Sequence, residues 1–248
     1  IDIMIDAYQQ SQSCQSSLDA IFTLFKHNNI HQICKNISSP WVHFYELFLE
    51  EFEKGMRSKR GVFYTPQEIV SFMIQKTHTQ LQKDFALPMG LASTKTWQEV
   101  AQSNHHVALV LEKNPVFAKQ PFVQILDPAT GTGTFVLECI RVIRETMSHV
   151  FQKQNMSLEE QQQSWKDYVR GQGIYKGCGL LNRISAIEIM ETPYFIFHIH
   201  VILLLQNHPT LPYELQENDQ ISIWLGNALD SLHSNHASPI QDIKQNRP

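Results

Sequence analysis

The feature that most constrains this chain is the loop Asp127-Pro128-Ala129-Thr130-Gly131-Thr132-Gly133-Thr134, set between a short apolar run at 122–126 and an amphipathic stretch at about 134–151. A short apolar run bounded by turn residues reads as a buried parallel strand, and the periodic stretch after it reads as a helix. The two glycines permit positive φ and close approach of a ligand to the backbone, and the start of the helix offers free N–H groups. The loop is not a Walker A sequence, because no Gly-Lys-Ser/Thr follows it. Nor is it a full dinucleotide fingerprint, because Val136 stands in the place of the third glycine.

The rest of the chain extends this unit. A second strand is predicted at 184–189, a helix opened by Thr192-Pro193 runs to about 205, and a third strand at 221–225 leads into Gly226-Asn227. Strand, glycine loop, helix, strand, helix, strand is the order of a doubly wound α/β fold with a mostly parallel sheet. Upstream, Thr65 and Glu68 have capping-box spacing with Pro66 at the first helical position, which predicts a helix to about 82. Residues 96–111 read as helical and 113–121 as loop. The polar stretch 152–173, which carries Trp165 and Tyr168, reads as a surface helix and loop. An insertion over 152–180 accounts for a gap between the glycine loop and the second strand longer than the usual ~20 residues. An N-terminal helical region is expected over 1–60, with helices at 18–26 and 41–56, the latter carrying the stripe Trp41, Phe44, Tyr45, Phe48 and Phe52. The α/β part then spans 61–248, ending in a polar tail after Leu232.

Composition excludes several classes. Hydrophobic residues make up 42% and charged residues 18% of the 248, a globular balance. The net charge of −4 supplies no chain-wide basic field for a phosphate backbone. The local cluster Lys54, Arg57, Lys59 and Arg60 reads as a solvated helix end. Cys14, Cys34, Cys139 and Cys178 form no C-x-x-C pair or metal framework, and scattered thiols suit a reducing cytoplasm. No apolar run approaches the roughly 20 residues of a membrane span. Neither His105-His106 nor His198 with His200 shares a helix face, and no H-E-x-x-H occurs, so no metal site is expected.

Two further positions carry ligand chemistry. Glu188 ends the second strand, where an acidic side chain in nucleotide-binding α/β folds accepts hydrogen bonds from ribose hydroxyls; taken alone it fits a solvent-facing carboxylate better. The Asn227 carboxamide both donates and accepts, as reading an adenine edge requires, though taken alone it fits a turn former better. Together with the glycine loop these positions lie at the carboxyl ends of three successive strands, the edge at which open α/β sheets bind ligands.

Five separated stretches then carry a resemblance: His43-Phe44-Tyr45-Glu46 with Phe48-Leu49; Arg60-Gly61-Val62-Phe63-Tyr64-Thr65-Pro66; the loop from Asp127 to Thr134 with Phe135; Ile184-Ser185-Ala186-Ile187-Glu188-Ile189 with Pro193-Tyr194; and Gly226-Asn227-Ala228-Leu229. In content and order, over about 41–248, the chain resembles the gamma-class adenine-N6 DNA methyltransferases, most closely those fused into single-chain restriction-modification enzymes. The resemblance implies a Rossmann-like, S-adenosylmethionine-dependent fold. Tyr64, Thr65 and Pro66 would close over the methionine end of the cofactor. Asp127, Pro128, Ala129, Gly131 and Gly133 would form the loop beneath it, with Thr130 and Phe135 completing the cofactor-binding set. Glu188 would bind the ribose, Ile189 would pack on the adenine and Asn227 would contact its amino group. Double-stranded DNA would be the partner of the full-length, cytoplasmic enzyme, together with the remaining methyltransferase and target-recognition regions of the same protein.

One departure stands out. The family's catalytic Asn-Pro-Pro-Tyr or Asn-Pro-Pro-Phe does not occur, and Arg247-Pro248 looks like the lead-in to the strand that precedes it. The expectation is a chain that stops short of that motif, binds cofactor and does not methylate DNA alone. The alternatives are a non-enzymatic or degenerate cofactor-binding module, or an NAD-dependent dehydrogenase domain. Against the dehydrogenase stand the missing third glycine and the Tyr64-Thr65-Pro66 segment.

Overall fold

The computed structural model describes residues 65–216 and 219–229. The N-terminal helical region expected over 1–60, Tyr64 and the tail after Leu232 lie outside these residues. Numbered in chain order among the described residues, the helices are α1 (Gln67–Asp84), α2 (Trp97–Ala101), α3 (His105–Lys113), α4 (Thr134–Lys153), α5 (Leu158–Arg170), the short α6 (Leu180–Arg183) and α7 (Glu191–Gln206). The strands are β1 (Ile125–Asp127), β2 (Ile184–Glu188) and β3 (Ile223–Leu225), with 3-10 turns at Gly90–Ala92, Pro115–Phe117 and Gly173–Tyr175.

The strands lie in the order β1-β2-β3 and are all parallel. Parallel neighbours need a crossover, which helices supply: α4, α5 and α6 between β1 and β2, and α7 between β2 and β3. Asp127 pairs with Ala186 and Glu188 with Leu225, so β2 runs past the end of β1 and brings Glu188 level with the end of β3.

β2 is buried along its whole length, which is why it reads in sequence as a continuous run. The amphipathic α4 buries Val136, Ile140, Ile143, Met147 and Phe151, and α7 buries Phe197, Val201 and Leu205. Each such side chain contributes roughly 1.5–3 kcal/mol on leaving water.

β1 departs from the expected buried strand at 122–126. It forms only at Ile125–Asp127, and Leu126 is 54% exposed. The cause lies upstream. The Phe122 amide donates to the Lys95 carbonyl (2.8 Å), and its ring packs on Trp97 and Phe85 at centroid distances of 4.8 and 5.0 Å. Phe122 therefore belongs to the helical layer, and pairing with β2 starts at Ile125.

Other boundaries also move. The helix expected at 96–111 is two helices, because Thr96 and Glu99 form one capping box while Asn104 accepts from the Val107 amide and starts a second helix. The 113–121 loop contains the turn Pro115–Phe117 and closes with an antiparallel bridge between Thr96 and Pro121. Pro66 is the N-cap of α1 rather than its first helical residue. Its ψ of 137° is extended, its carbonyl takes the Val70 amide, and no side chain caps the helix, so the Thr65–Glu68 capping box does not form. α7 begins at Glu191, with Met190 as N-cap, rather than at Thr192-Pro193. α5 is less of a surface helix than its polarity implies, since Trp165, Tyr168 and Val169 are buried.

Trp165 and Tyr168 help to seat the inserted segment around Arg183, whose side chain is fully buried. Its guanidinium donates to the carbonyls of Leu91 (3.0 Å), Ser93 (3.1 Å) and Val123 (3.4 Å) and to the Tyr168 hydroxyl. That hydroxyl in turn donates to the Ala92 carbonyl at 2.9 Å. Burial pushes the Tyr168 phenol above its ordinary pKa despite the neighbouring cation, so it remains a neutral donor. One cation thus gathers the turn after α1, the lead-in to β1 and α5.

Candidate functional site

The loop after β1 is held from both sides. Asp127 accepts from the Ala129 amide (3.2 Å), and the Thr130 amide donates to the Ile187 carbonyl (3.0 Å), tying the loop to β2. The Gly133 amide donates back to Thr130 (2.9 Å), and the Gly133 carbonyl accepts from Leu137 as α4 begins. Burial raises the Asp127 carboxyl above its ordinary range, and the bond from the Ala129 amide offsets part of that shift.

Glu188 joins the three strand ends. It is 5% exposed; one carboxylate oxygen accepts from the Gly131 amide and the other from the Met190 amide, both at 2.8 Å. Its backbone carbonyl accepts from the Gly226 amide, also at 2.8 Å, at the turn after β3. The solvent-facing alternative for Glu188 therefore does not hold. A carboxylate has about four lone-pair sites, so acceptor capacity remains beyond these two bonds.

Gly131 and Gly133 both adopt positive φ, +57° and +90°, but for different reasons. A Cβ on Gly133 would stand 1.9 Å from the Phe197 ring, whereas one on Gly131 would meet no atom within 4 Å. Gly133 lets α7 pack against the loop, and Gly131 leaves open space above it. We expect Gly133→Ala to cost roughly 2–5 kcal/mol, from strain plus overpacking, and Gly131→Ala only about 1–2 kcal/mol from its φ. Urea denaturation of the two variants checks this; equal losses would remove the distinction.

The remaining positions fall around this centre. Ile189 follows Glu188 and is 66% exposed, an apolar surface beside the carboxylate. The Asn227 side-chain oxygen accepts from the Leu229 amide (2.9 Å), so Asn227 does form a turn, and its carboxamide nitrogen is the end that can donate outward. Asp127, Pro128 and Phe135 line an open cleft of about 470 Å³ with Ile74, Thr77 and Leu81 of α1. Pro128 and Ala129 are exposed, Thr130 is buried, and Thr65 and Pro66 directly precede α1.

Sequence reasoning missed His200, whose ring nitrogen lies 3.2 Å from the Thr132 carbonyl inside the loop. It also missed the role of Phe197. Among the described residues no group of three His, Cys, Asp or Glu side chains could hold a metal ion, and no helix is long and apolar enough to cross a membrane. His198 packs edge-on against Tyr194, and burial holds its pKa down to about 4. It is a half-buried side chain, neutral at ordinary pH.

A family model described as N-6 DNA Methylase matches residues 41–107. That stretch contains two of the motif segments behind the resemblance, those at 43–49 and 60–66, and extends through α1. Among solved structures, the chain is similar to an ATP-dependent Type ISP restriction-modification enzyme, LlaBIII, bound to DNA, with 21% identity over 78% of this chain and 10% of that chain at a TM-score of 0.45. It is similar to DrdV in a DNA complex, with 25% identity over 63% of this chain and 10% of that chain at 0.34. A nuclease-deletion mutant of the Type ISP enzyme LlaGI, in complex with a DNA substrate mimic, gives 21% identity over 66% of this chain and 9% of that chain at 0.35. The chain spans about a tenth of the length of the structures it matches. No match is found among curated proteins.

Proposed function

We propose that this chain is the S-adenosylmethionine-binding part of a DNA adenine-N6 methyltransferase in a restriction-modification enzyme, built on a doubly wound, Rossmann-like methyltransferase fold. The observation that carries this reading is the Glu188 carboxylate. It holds the Gly131 amide of the loop after β1 and the Met190 amide after β2, which makes the glycine loop and the acidic strand end one site. The N-6 DNA Methylase match over residues 41–107 supports the same reading from a different part of the chain.

The residues fit such a cofactor. Open space over Gly131 admits a ligand against the loop. Glu188 keeps acceptor capacity for two ribose hydroxyls. Exposed Ile189 offers an apolar face to the adenine, and the Asn227 side-chain oxygen, which has a second lone pair beyond its bond from Leu229, can accept from the adenine amino group. Asp127, Pro128, Ala129, Thr130, Gly133 and Phe135 form the loop and its wall, and Thr65 and Pro66, with Tyr64 by the resemblance alone, would close over the methionine end. When bound, the sulfonium cofactor supplies the activated methyl group; the residues here would bind and orient it. The 248 residues contain no Asn-Pro-Pro-Tyr or Asn-Pro-Pro-Phe, and the resemblance would give the orienting of the target amino group and the recognition of double-stranded DNA to other regions of a full-length enzyme. Two buried free thiols, Cys139 and Cys178, suit a cytoplasmic enzyme.

Calorimetric titration tests the reading. S-adenosylhomocysteine is expected to bind in the micromolar range, corresponding to about −8 kcal/mol. NAD is expected not to bind, and the chain alone is expected to transfer no methyl group to duplex DNA. NAD binding without S-adenosylhomocysteine binding would assign the site to a dehydrogenase.

A further inference from the structure

A second polar cluster lies one helical turn from the glycine loop. Glu138 of α4 is buried, and its carboxylate accepts from the Gln67 side-chain amide (2.9 Å), the Ser71 hydroxyl (2.8 Å) and the Arg141 guanidinium (3.1 Å). Gln67 also donates to the Ser71 hydroxyl at 3.2 Å. Gln67 and Ser71 lie on the first turns of α1, and Gln67 is its first residue.

The apolar contacts of α1 are sparse. Of its residues only Val70 and Ile74 are buried, while Ile69, Phe72 and Met73 are exposed. At its start the helix is held by the fully buried Val70 together with the Glu138 cluster. A buried carboxylate costs desolvation energy that an apolar pair at the same place would not, so it is an expensive way to gain stability alone. What directed donors add is a defined position: two of the three, Gln67 and Ser71, reach Glu138 from α1. Pro66 gives its carbonyl to the amides of Ile69 and Val70, so fixing Gln67 fixes Pro66 and Thr65 as well. At the other end of the cluster, Glu138 sits one turn past Thr134, the residue at which the loop becomes α4.

We propose that Glu138 is a positioning residue: through Gln67 and Ser71 it sets where the Thr65–Pro66 segment stands relative to the glycine loop, and so controls affinity for the amino-acid end of the cofactor. This rests on the S-adenosylmethionine reading of the site. Across the two helices the clamp is a matched set, with one carboxylate on α4 and the neutral donors Gln67 and Ser71 on α1, while Arg141 balances the charge from α4 itself, so exchanging Gln67 and Glu138 keeps one carboxylate beside Arg141 and changing one alone breaks the set.

The test uses the whole chain and two probes: S-adenosylhomocysteine, and 5′-methylthioadenosine, which lacks the amino-acid end. Gln67→Glu places a second carboxylate against Glu138. It is expected to weaken S-adenosylhomocysteine binding by about tenfold or more while changing 5′-methylthioadenosine binding by less than about threefold. Adding Glu138→Gln to Gln67→Glu restores a donor–acceptor pair with the roles exchanged and is expected to return S-adenosylhomocysteine affinity to within about threefold of the unaltered chain. Ser71→Ala, a gentler change, is expected to give a smaller loss with the same selectivity between probes. Unchanged S-adenosylhomocysteine affinity in Gln67→Glu overturns the proposal. So does a parallel loss for both probes that tracks a fall in Tm, because the cluster would then serve the fold alone. If the unaltered chain binds neither probe, the cofactor reading fails first and the proposal goes with it.

Discussion

Replacing Glu188 by alanine is expected to weaken S-adenosylhomocysteine binding by at least about tenfold, ~1.4 kcal/mol, in calorimetric titration. Two losses combine. The ribose hydroxyls lose a charged acceptor, and hydrogen bonds to charged groups are worth roughly 1.5–3 kcal/mol each. The amides of Gly131 and Met190 also lose the carboxylate that now orients them, so the loop is no longer held to the end of β2 through this side chain. Glutamine is expected to do little better than alanine despite its shape. Each Glu188 oxygen faces a backbone N–H, so a carboxamide must turn its NH₂ toward one of those donors. Affinity unchanged by either substitution would show that the ligand does not contact this carboxylate.

Replacing Arg183 by methionine is expected to cost about 3 kcal/mol of folding stability, a fall of roughly 6–12 °C in Tm for a domain of this size. Methionine fills much of the volume but leaves the carbonyls of Leu91, Ser93 and Val123 without their donor. Tyr168→Phe removes only the hydroxyl that bridges Arg183 and Ala92 and is expected to cost about 1–2 kcal/mol. Because Arg183 reaches the turn after α1 and the lead-in to β1 rather than the glycine loop, S-adenosylhomocysteine affinity below the transition is expected to hold within about threefold. A stability change in Arg183→Met under about 1 kcal/mol would mean that water or neighbouring groups satisfy those carbonyls.

Both predictions turn on groups that look different in sequence and in structure. Glu188 is visible in sequence, because a run buried on both faces and ending in an acid is a local pattern. Its bond to Gly131 is not, since the two residues lie 57 positions apart. Arg183 gives no sequence signal at all. A basic residue beside a strand reads as a solvated end, and only the arrival of three carbonyls from 60 to 92 positions away makes it a buried clamp. The Glu138 cluster is hidden for the same reason, because nothing in α4 alone says that Gln67 and Ser71 will meet it.

Where the sequence misled, a local rule lost to a tertiary contact. The apolar run at 122–126 satisfies strand propensity, but Phe122 is taken by Trp97 and Phe85, so β1 begins three residues later, at Ile125. Thr65 and Glu68 have capping-box spacing, but the extended ψ of Pro66 starts the helix one residue too late to use it. The split at 101–105 went the other way, since Thr96–Glu99 and Asn104 are local capping signals that a period-only reading overlooks.

The sequence by itself determined the order of strands and helices around the glycine loop and where positive φ is needed. These follow from backbone sterics and periodicity within a few neighbouring residues. The tertiary structure alone decided which groups meet: Glu188 with Gly131, Phe197 over Gly133, Arg183 among three carbonyls and Glu138 with the start of α1. A residue's chemistry is carried in its own side chain, but its partner is chosen by how distant segments pack, and burial is what makes each of these meetings count.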